Sequence, residues 1–214
     1  MEIQIQTIVS APFAENSYLL WRRGSREAIV IDPGFEPDAI FDALAENELQ
    51  LVAILNTHGH IDHIAGNAEM KLRYPDAPIL IGTGDAIMLT DAVANLSEPF
   101  GMPVTSPPAD RLLNEGDQIQ FAGMEFKILD VPGHSPGHIV YVMKDAPWLL
   151  GGDVLFRGGI GRTDFPNGNM KQLLTGIRTK LWPLPGATIV YPGHGPVTTI
   201  GHEKRTNPFC GDNT

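Results

Sequence analysis

Side chains that bind metal ions occur in four separate parts of this chain, and each follows a segment typical of a β-strand. The first part is the run Thr-His-Gly-His-Ile-Asp-His at 57–63. The others are His134, Asp153 and His194, each in a glycine-containing turn. A site built from all four parts requires a fold that brings the ends of distant strands to one edge.

The number of candidate ligands predicts two metal ions. Seven ligands are too many for one tetrahedral ion and suit two ions that share a carboxylate. His58 and His60 can hold one ion, Asp62 and His63 can face a second, and Asp153 can bridge the two. The complete set is His58, His60, Asp62, His63, His134, Asp153 and His194.

Three further residues have a weaker case as ligands. His138 is favoured as a hydrogen-bonded structural residue, and His202 as a solvated residue in a polar C-terminal tail. Asp32 lies in a turn after an apolar strand, where it either orients a ligand from behind or forms an Asx turn. The residues alone leave both interpretations of Asp32 open.

The composition limits the partners and the compartment. A formal net charge of -10, with no cluster of basic residues, argues against nucleic acid as a partner. No apolar run reaches the roughly 20 residues that cross a membrane, and the start lacks the pattern of a secretion signal. The single cysteine, Cys210, excludes an internal disulfide and fits a reducing compartment, so we expect a cytoplasmic protein.

Local patterns predict strands that outnumber helices. A first helix is expected at 38–47, a second is marked by Ile64, Ala68 and Leu72, and a third by a stripe from Leu173 to Leu181 that Pro183 ends. The predicted strands are 3–9, 17–20, 28–31, 51–55, 118–120, 125–129, 139–143, 148–150 and 187–190.

A proline-rich stretch near the middle of the chain divides this pattern. Residues 99–108 are either a join between two similar halves or a loop over the site. We therefore expect one domain over 1–214, made of two structural halves that join near 99–110.

The ordered ligand set resembles that of the metallo-β-lactamase superfamily, whose mark is His-x-His-x-Asp-His followed by separate His, Asp and His residues. The resemblance implies an α/β fold with four layers, αββα, in which two mixed sheets are flanked by helices. It also implies one metal on His58, His60 and His134, a second on Asp62, His63 and His194, and Asp153 shared.

Within that superfamily, the run Gly-Asp-Val-Leu-Phe at 152–156, followed by Gly161 and Arg162, is similar to glyoxalase II, the hydroxyacylglutathione hydrolase. Arg162 falls where that family has a basic residue that contacts glutathione. Asp164 replaces a tyrosine that helps to bind glutathione in that family. The chain also ends at Thr214 without a C-terminal helical domain, so it looks more like the short bacterial type.

The resemblance and the ligand chemistry predict a binuclear metallohydrolase in methylglyoxal detoxification. It would hydrolyse a 2-hydroxyacyl thioester such as S-lactoylglutathione with a hydroxide bridging the metals, using Asp62 and Asp153 as catalytic residues and Arg162 for the substrate. A thiolate leaves without acid help, because its conjugate acid has a pKa of about 8.5.

Three alternatives to this hydrolase are open. A persulfide dioxygenase of the same superfamily, with one iron on His58, His134 and Asp153, also shows the Gly-Arg-Thr-Asp-Phe run at 161–165. A lactonase is the second alternative, and a non-catalytic metal-holding protein the third. Zinc is the favoured metal, with iron or manganese as the other choices. The sequence does not indicate an oligomeric state.

Overall fold

Two six-stranded sheets form the centre of the protein in a computed structural model that describes residues 2–212 and 214. The first sheet contains, in spatial and chain order, β1 (Ile3–Ser10), β2 (Glu15–Arg22), β3 (Glu27–Ile31), β4 (Gln50–Leu55), β5 (Ile79–Gly82) and β6 (Arg111–Leu113). Strands β1 to β3 pair antiparallel, and β3 to β6 pair parallel. The sheet is therefore mixed.

The second sheet is also mixed and is formed by the other half of the chain. Its first strands are β7 (Gln118–Phe121), β8 (Met124–Asp130), β9 (Ile139–Met143) and β10 (Trp148–Gly152). A small hairpin of β11 (Leu155–Phe156) and β12 (Gly159–Ile160) follows, and then β13 (Ile189–Pro192) and β14 (Thr198–Thr199). The spatial order is β14-β13-β10-β9-β8-β7, in which only β10 and β13 pair parallel.

Helices cover the outer face of each sheet. They are α1 (Pro37–Glu46), α2 (Ile61–Ile64), α3 (Asn67–Arg73), α4 (Ala86–Thr90), α5 (Met170–Gly176) and α6 (Ile200–Thr206), and α5 continues into a π-helical turn at Ile177–Leu181. Helix α1 begins with Pro37, whose fixed φ suits a first helical position. Thr199 caps α6 by accepting a hydrogen bond from the backbone N–H of His202.

Alternating side chains of the strands fill three hydrophobic layers. In β3, Ile29 and Ile31 enter the core between the sheets, whereas Val30 packs against the helices outside the first sheet. In the second sheet, Phe126 lies in the same central core, and Leu149 packs outward against α5 and α6. Burial of both sheet faces confirms the predicted four-layer αββα fold.

Most predicted strands are present, but the sequence prediction of two segments was wrong. Leu72 is 85% exposed, because α2 ends before Gly66 and α3 restarts with Asn67 and Met70 as its buried residues. The supposed polar tail around His202 is helix α6, which closes one end of the outer core. Strands β5 and β6 were not predicted, because each is only three or four residues long.

The chain passes from the first sheet to the second between Leu113 and Gln118, immediately after the predicted join near 99–110. Phe100, from the proline-rich stretch, lines a pocket together with several predicted ligands, so this stretch does form a loop beside the site. Within the part of the chain that the structure describes, no helix has the length and apolarity to cross a membrane.

The central core predicts a large loss of stability when it is emptied. Phe126 is fully buried between the sheets, so Phe126→Ala should lower the free energy of unfolding by about 3–5 kcal/mol. Phe209→Ala, at a phenylalanine that is 44% exposed, should cost about 1 kcal/mol or less. Urea unfolding measures both, and equal losses would contradict this assignment of the core.

Candidate metal centre

The predicted ligands meet at one edge of the sandwich because each follows the end of a strand that points there. His58 and His60 follow β4, and Asp62 and His63 lie on α2. The remaining three follow different strands of the second sheet: His134 follows β8, Asp153 follows β10 and His194 follows β13. The fold thus brings together side chains from both sheets.

Three histidines form the first group. One ring nitrogen each from His58, His60 and His134 can serve as a ligand, and these atoms lie within 4.8 Å of one another. His60 Nδ1 is 2.9 Å from His134 Nε2. All three side chains are buried, so their lone pairs have little access to bulk water.

An aspartate and two histidines form the second group. Asp62 Oδ2 lies 3.8 Å from His63 Nε2 and 3.2 Å from His194 Nε2. Ligands at about 2.1 Å from a tetrahedral zinc ion are about 3.4 Å apart, so these spacings are of the right size for one cation. The side chains of Asp62 and His194 are partly exposed, at 15% and 28%, which leaves this group accessible from solvent.

Asp153 lies between the two groups. Its Oδ2 atom is 3.4 Å from His134 Nε2 in the first group and 3.5 Å from His194 Nε2 in the second. Its Oδ1 atom is 3.5 Å from His63 Nε2. A carboxylate in this position can serve as a ligand on both sides, as a shared carboxylate must.

Buried polar atoms without hydrogen-bond partners show that this cluster fits metal ions. His58 Nε2, His63 Nε2 and Asp153 Oδ1 are buried and have no partner. An unpaired buried acceptor costs free energy unless a ligand satisfies it. All three atoms belong to the converging groups, so a cation is the ligand that would satisfy them together.

Hydrogen bonds to Nδ1 determine which ring nitrogen faces the site in three of the histidines, namely His58, His63 and His134. Asp32 accepts from the Thr57 hydroxyl (2.7 Å) and from His63 Nδ1 (3.0 Å). The Thr57 oxygen in turn lies 3.1 Å from His58 Nδ1, and the backbone oxygen of Arg162 lies 2.7 Å from His134 Nδ1. With Nδ1 donating in each case, Nε2 keeps its lone pair for a metal. Asp32 therefore orients two candidate ligands.

The charges of the site favour a cation. Burial, with the neighbouring imidazoles, lowers the pKa of His58 well below its ordinary value, so its lone pair is free near neutral pH. Burial alone would lower the pKa of His63 too, but the carboxylates of Asp62, Asp153 and Asp32 outweigh it and raise that pKa. In the metal-free protein, a proton on His63 thus partly balances the carboxylates, and a bound cation would take over that function.

Asp85 joins the two loops that carry the first group. It is fully buried and accepts from the backbone N–H of Gly59 (3.1 Å), between His58 and His60. It also accepts from the Ser135 hydroxyl (2.6 Å) and the backbone N–H of Gly137 (2.5 Å) in the loop of His134. Burial raises the pKa of Asp85, while these three donors act to lower it.

The loop of His194 is attached to the first sheet by the start of β2. The Asn16 amide donates to the backbone oxygens of Pro192 (3.0 Å) and Gly195 (2.8 Å). The Tyr18 hydroxyl also donates to Pro192 (2.7 Å). A Cβ atom on Gly193 would overlap Asp153 Oδ1 and His63 Cε1, so only glycine permits this close approach.

The other residues weighed from the sequence have defined places. His138 stacks on His58 at 4.6 Å, and its Nε2 accepts from the backbone N–H of Asp153 (3.0 Å), so it supports the site from behind. The side chain of His202 is 45% exposed and away from the cluster. Cys210 is buried, which raises its pKa to about 12, so it is not a reactive thiol.

Sequence patterns missed Glu15, Asn16 and Asp85. Glu15 is a fully buried carboxyl group whose Oε1 atom is 4.0 Å from His63 Nδ1. Glu15 and Asn16 stand at the start of an apolar strand, and Asp85 follows Ile79–Gly82 in a glycine-containing turn. That arrangement matches the turns of the predicted ligands, but the strand before Asp85 is only four residues long and gave no periodic signal.

A pocket of about 430 Å³ opens above the cluster. Its floor includes His60, Asp62, His134, Asp153 and His194. Seven apolar residues also line it, namely Phe13, Ile61, Leu96, Phe100, Phe156, Ile160 and Phe165. Arg162 also lines the pocket. A substrate in this pocket would therefore lie directly on the candidate metal ligands.

The fold and the ligand groups at this edge are those of a metallohydrolase superfamily. Residues 11–194 match the metallo-β-lactamase superfamily, and the chain belongs to that superfamily. It is 40% identical over 210 residues to hydroxyacylglutathione hydrolase GloC of Haemophilus influenzae, which covers 97% of this chain and 98% of the relative. The chain is of the same short type, and its superfamily membership and ligand groups indicate that it uses divalent metal.

Solved structures agree over nearly the whole chain. A B3 metallo-β-lactamase called BLEG-1 is 37% identical, with a TM-score of 0.93 over 97% of this chain and 99% of that one. TTHA1623, solved in a di-iron-bound form, is 35% identical, with a TM-score of 0.84 over 95% and 99%. ETHE1 from Myxococcus xanthus is 29% identical, with a TM-score of 0.81 over 97% and 84%.

Metal ions should stabilise the protein strongly. Because a cation would satisfy the buried unpaired atoms, Zn²⁺ at about 1,000 times its Kd should add about 4 kcal/mol and raise Tm by roughly 10 °C. Ca²⁺, which prefers oxygen ligands, should have little effect. Thermal unfolding of metal-free protein measures this.

The same thermal-unfolding measurement distinguishes the histidines of the site from a histidine outside it. His58→Ala should remove most of the increase in Tm that Zn²⁺ causes. His202→Ala, at a histidine whose side chain is 45% exposed, should retain that increase. A protein that gains no stability from zinc, iron or manganese would contradict the metal centre.

Asp85 should contribute to stability as well as to loop position. Asp85→Ala leaves a hydroxyl and two backbone N–H groups buried without an acceptor, so it should cost about 2–4 kcal/mol. Asp76→Ala, at an exposed aspartate, should cost no more than about 0.5 kcal/mol. Urea denaturation compares them, and a small loss at Asp85 would argue against its function as a link between the loops.

Proposed function

We propose that this protein hydrolyses a 2-hydroxyacyl thioester such as S-lactoylglutathione. The main support is the position of Asp153 between two ligand groups, on the floor of a pocket large enough for a small substrate. The 40% identity to a hydroxyacylglutathione hydrolase supports the choice of substrate. We further propose a cytoplasmic function in methylglyoxal detoxification.

Two divalent ions would be held by the residues that the structure groups together. His58, His60 and His134 would bind one, Asp62, His63 and His194 the other, and Asp153, which lies between the groups, both. We propose zinc as the metal, with iron or manganese as alternatives, because imidazole and carboxylate ligands suit all three. Such a pair lowers the pKa of a water molecule and stabilises negative charge that develops on a carbonyl oxygen.

Asp62 and Asp153 are the proposed catalytic residues of the chain itself. Both line the pocket, so each can accept a hydrogen bond from a water molecule beside the substrate. Burial would raise the pKa of Asp62, but His63 and His194 lower it well below its usual range, so this carboxylate stays ionised. An ionised Asp62 can orient the water for attack.

The pocket also favours a thioester over an amide or an ester. A thiolate leaves without a proton donor, since its conjugate acid has a pKa of about 8.5. An amine or alkoxide needs such a donor. Apart from the candidate ligands, Arg162 is the one ionisable side chain among the described residues that line the pocket, and a guanidinium is not a general acid. Whether Arg162 contacts the substrate stays a prediction.

A persulfide dioxygenase with a single iron is the second candidate. The likeness to ETHE1 and the run 161–165 are compatible with it. Among its expected ligands, His58 and His134 belong to one group of converging ring nitrogens, and His134 Nε2 lies 3.4 Å from Asp153 Oδ2. A lactonase of the same superfamily would share the hydrolytic site.

S-lactoylglutathione hydrolysis by metal-quantified protein tests the proposal. Asp153→Ala should lower kcat/KM at least about a hundredfold, because it removes the shared carboxylate. Asp38→Ala, at an exposed aspartate on α1, should leave kcat/KM unchanged. Unchanged activity in Asp153→Ala would contradict the shared-carboxylate mechanism.

Parallel assays separate the alternatives. Oxygen uptake with glutathione persulfide, at one iron per chain and without thioester turnover, would establish the dioxygenase instead. Faster turnover of a lactone would favour the lactonase. Nitrocefin tests β-lactam hydrolysis, which the likeness to a B3 metallo-β-lactamase raises.

A further inference from the structure

Aromatic rings from separate parts of the chain surround the entrance of the pocket. Phe13, between β1 and β2, meets Phe100 of the proline-rich stretch edge-to-face, with ring centroids 6.1 Å apart. Phe13 also lies 5.8 Å from Phe35. Phe165 packs against His60, at 5.3 Å between centroids, and therefore reaches the candidate metal ligands. Phe13, Phe100 and Phe165 all line the same pocket as the candidate ligands.

Part of this apolar surface is left open to solvent. Phe100 is 50% exposed although it lies at the pocket, and Phe13, Phe156 and Phe165 are half-buried. Contact of an aromatic ring with water is unfavourable, and burial of the ring against an apolar ligand would lower the free energy. The rings are therefore available to a substrate, in contrast to the fully buried Phe126 of the core.

The positive charge that could bind a carboxylate is already paired. Arg162 donates two hydrogen bonds to Asp164, from Nε to Oδ1 (2.8 Å) and from a terminal nitrogen to Oδ2 (2.7 Å). Its guanidinium also stacks on the Phe165 ring, 4.0 Å from the centroid. A carboxylate of glutathione would have to replace Asp164, which already satisfies the planar donor geometry of this arginine.

Apart from the proposed metal ions, the described side chains supply little positive charge to the pocket. Arg162 is the only lysine or arginine among the described residues that line the pocket. The protein as a whole has a net charge of -10, which does not attract an anionic carrier. With the proposed metal ions engaged by the water and the reacting carbonyl group, recognition of the rest of the substrate would depend mainly on shape and apolar contact.

The geometry points to a thioester whose acyl group is apolar and of aromatic size, on a thiol carrier that is recognised without its carboxylates. This inference rests on the proposed thioester hydrolysis and specifies its substrate class. The ring of the acyl group would lie between Phe13, Phe100 and Phe165, with the carbonyl carbon above Asp62 and Asp153. Water attacks that carbon, the C–S bond breaks, and the products are the carboxylic acid and the free thiol.

Four thioesters test the inference, formed by pairing lactoyl or mandeloyl groups with glutathione or with neutral N-acetylcysteamine. Mandeloyl should exceed lactoyl in kcat/KM by about tenfold on both carriers, because a half-enclosed phenyl ring gains part of its full burial energy. The change of carrier should alter kcat/KM by less than about threefold. A higher value for lactoyl, or a loss above about thirtyfold without glutathione, would overturn the inference.

Variants show whether the named rings carry the preference. Phe100→Ala should lower the ratio of kcat/KM for mandeloyl to that for lactoyl from about tenfold to about twofold, and Phe13→Ala should do the same if the first variant folds poorly. Phe209→Ala is the matched control, since Phe209 is 44% exposed but does not line the pocket. Preference retained in both pocket variants would overturn the assignment of the rings.

Binding without reaction provides a second readout. S-benzyl-N-acetylcysteamine, a thioether that cannot be hydrolysed, should bind at least about fivefold more tightly than its S-methyl counterpart in calorimetry. Equal affinities would count against the inference.

The possible outcomes distinguish a failure of the inferred substrate preference from a failure of the proposed thioester hydrolysis. Hydrolysis of S-lactoylglutathione without any acyl preference would overturn the inference and leave the proposed function standing. No turnover of any of the four thioesters by metal-loaded protein would overturn the proposed function, and this inference with it.

Discussion

The carboxylate of Asp32 is the interaction on which the geometry of the site depends. It stands at the end of β3 with a left-handed backbone (φ 50°) and is almost completely buried. It accepts from the backbone N–H and the hydroxyl of Thr57, which follows β4, and from His63 Nδ1. One side chain thus joins two neighbouring strand ends and fixes the orientation of two candidate ligands, because Thr57 passes the effect on to His58. An Asx turn alone would not require these contacts.

The same principle extends to the second sheet. Asp85 links the loop of His58 and His60 to the loop of His134, and Asn16 links the first sheet to the loop of His194. These contacts hold carboxylates and imidazoles close together in a buried place. Without a cation, the carboxylates repel one another, and buried atoms such as His58 Nε2 and Asp153 Oδ1 have no partner. The fold therefore stabilises an arrangement that is unfavourable by itself and favourable with metal bound. Such preorganisation is what a hydrolytic centre requires.

The histidine motif could be predicted because it is a short, local pattern. The fold class could be predicted because the order of the ligands resembles that of a known superfamily. Strand β4 leading to His58 is a short apolar run, and the four layers follow from a resemblance that spans nearly the whole chain. The supports of the site could not be predicted in this way, because they depend on long-range contacts. Asn16 and Gly195 are 179 residues apart, and Asp85 lies in a segment whose short strand gave no periodic signal. Leu72 shows the opposite error, in which a regular spacing ran across a helix break.

The proposed hydrolysis depends most on two metal ions held on either side of Asp153. Anomalous X-ray diffraction from crystals of the metal-loaded protein tests this directly. We expect two peaks about 3.5–4 Å apart, one beside His58, His60 and His134 and the other beside Asp62, His63 and His194. A single fully occupied peak at the first group, with the second group empty in fully active protein, would contradict the two-metal account.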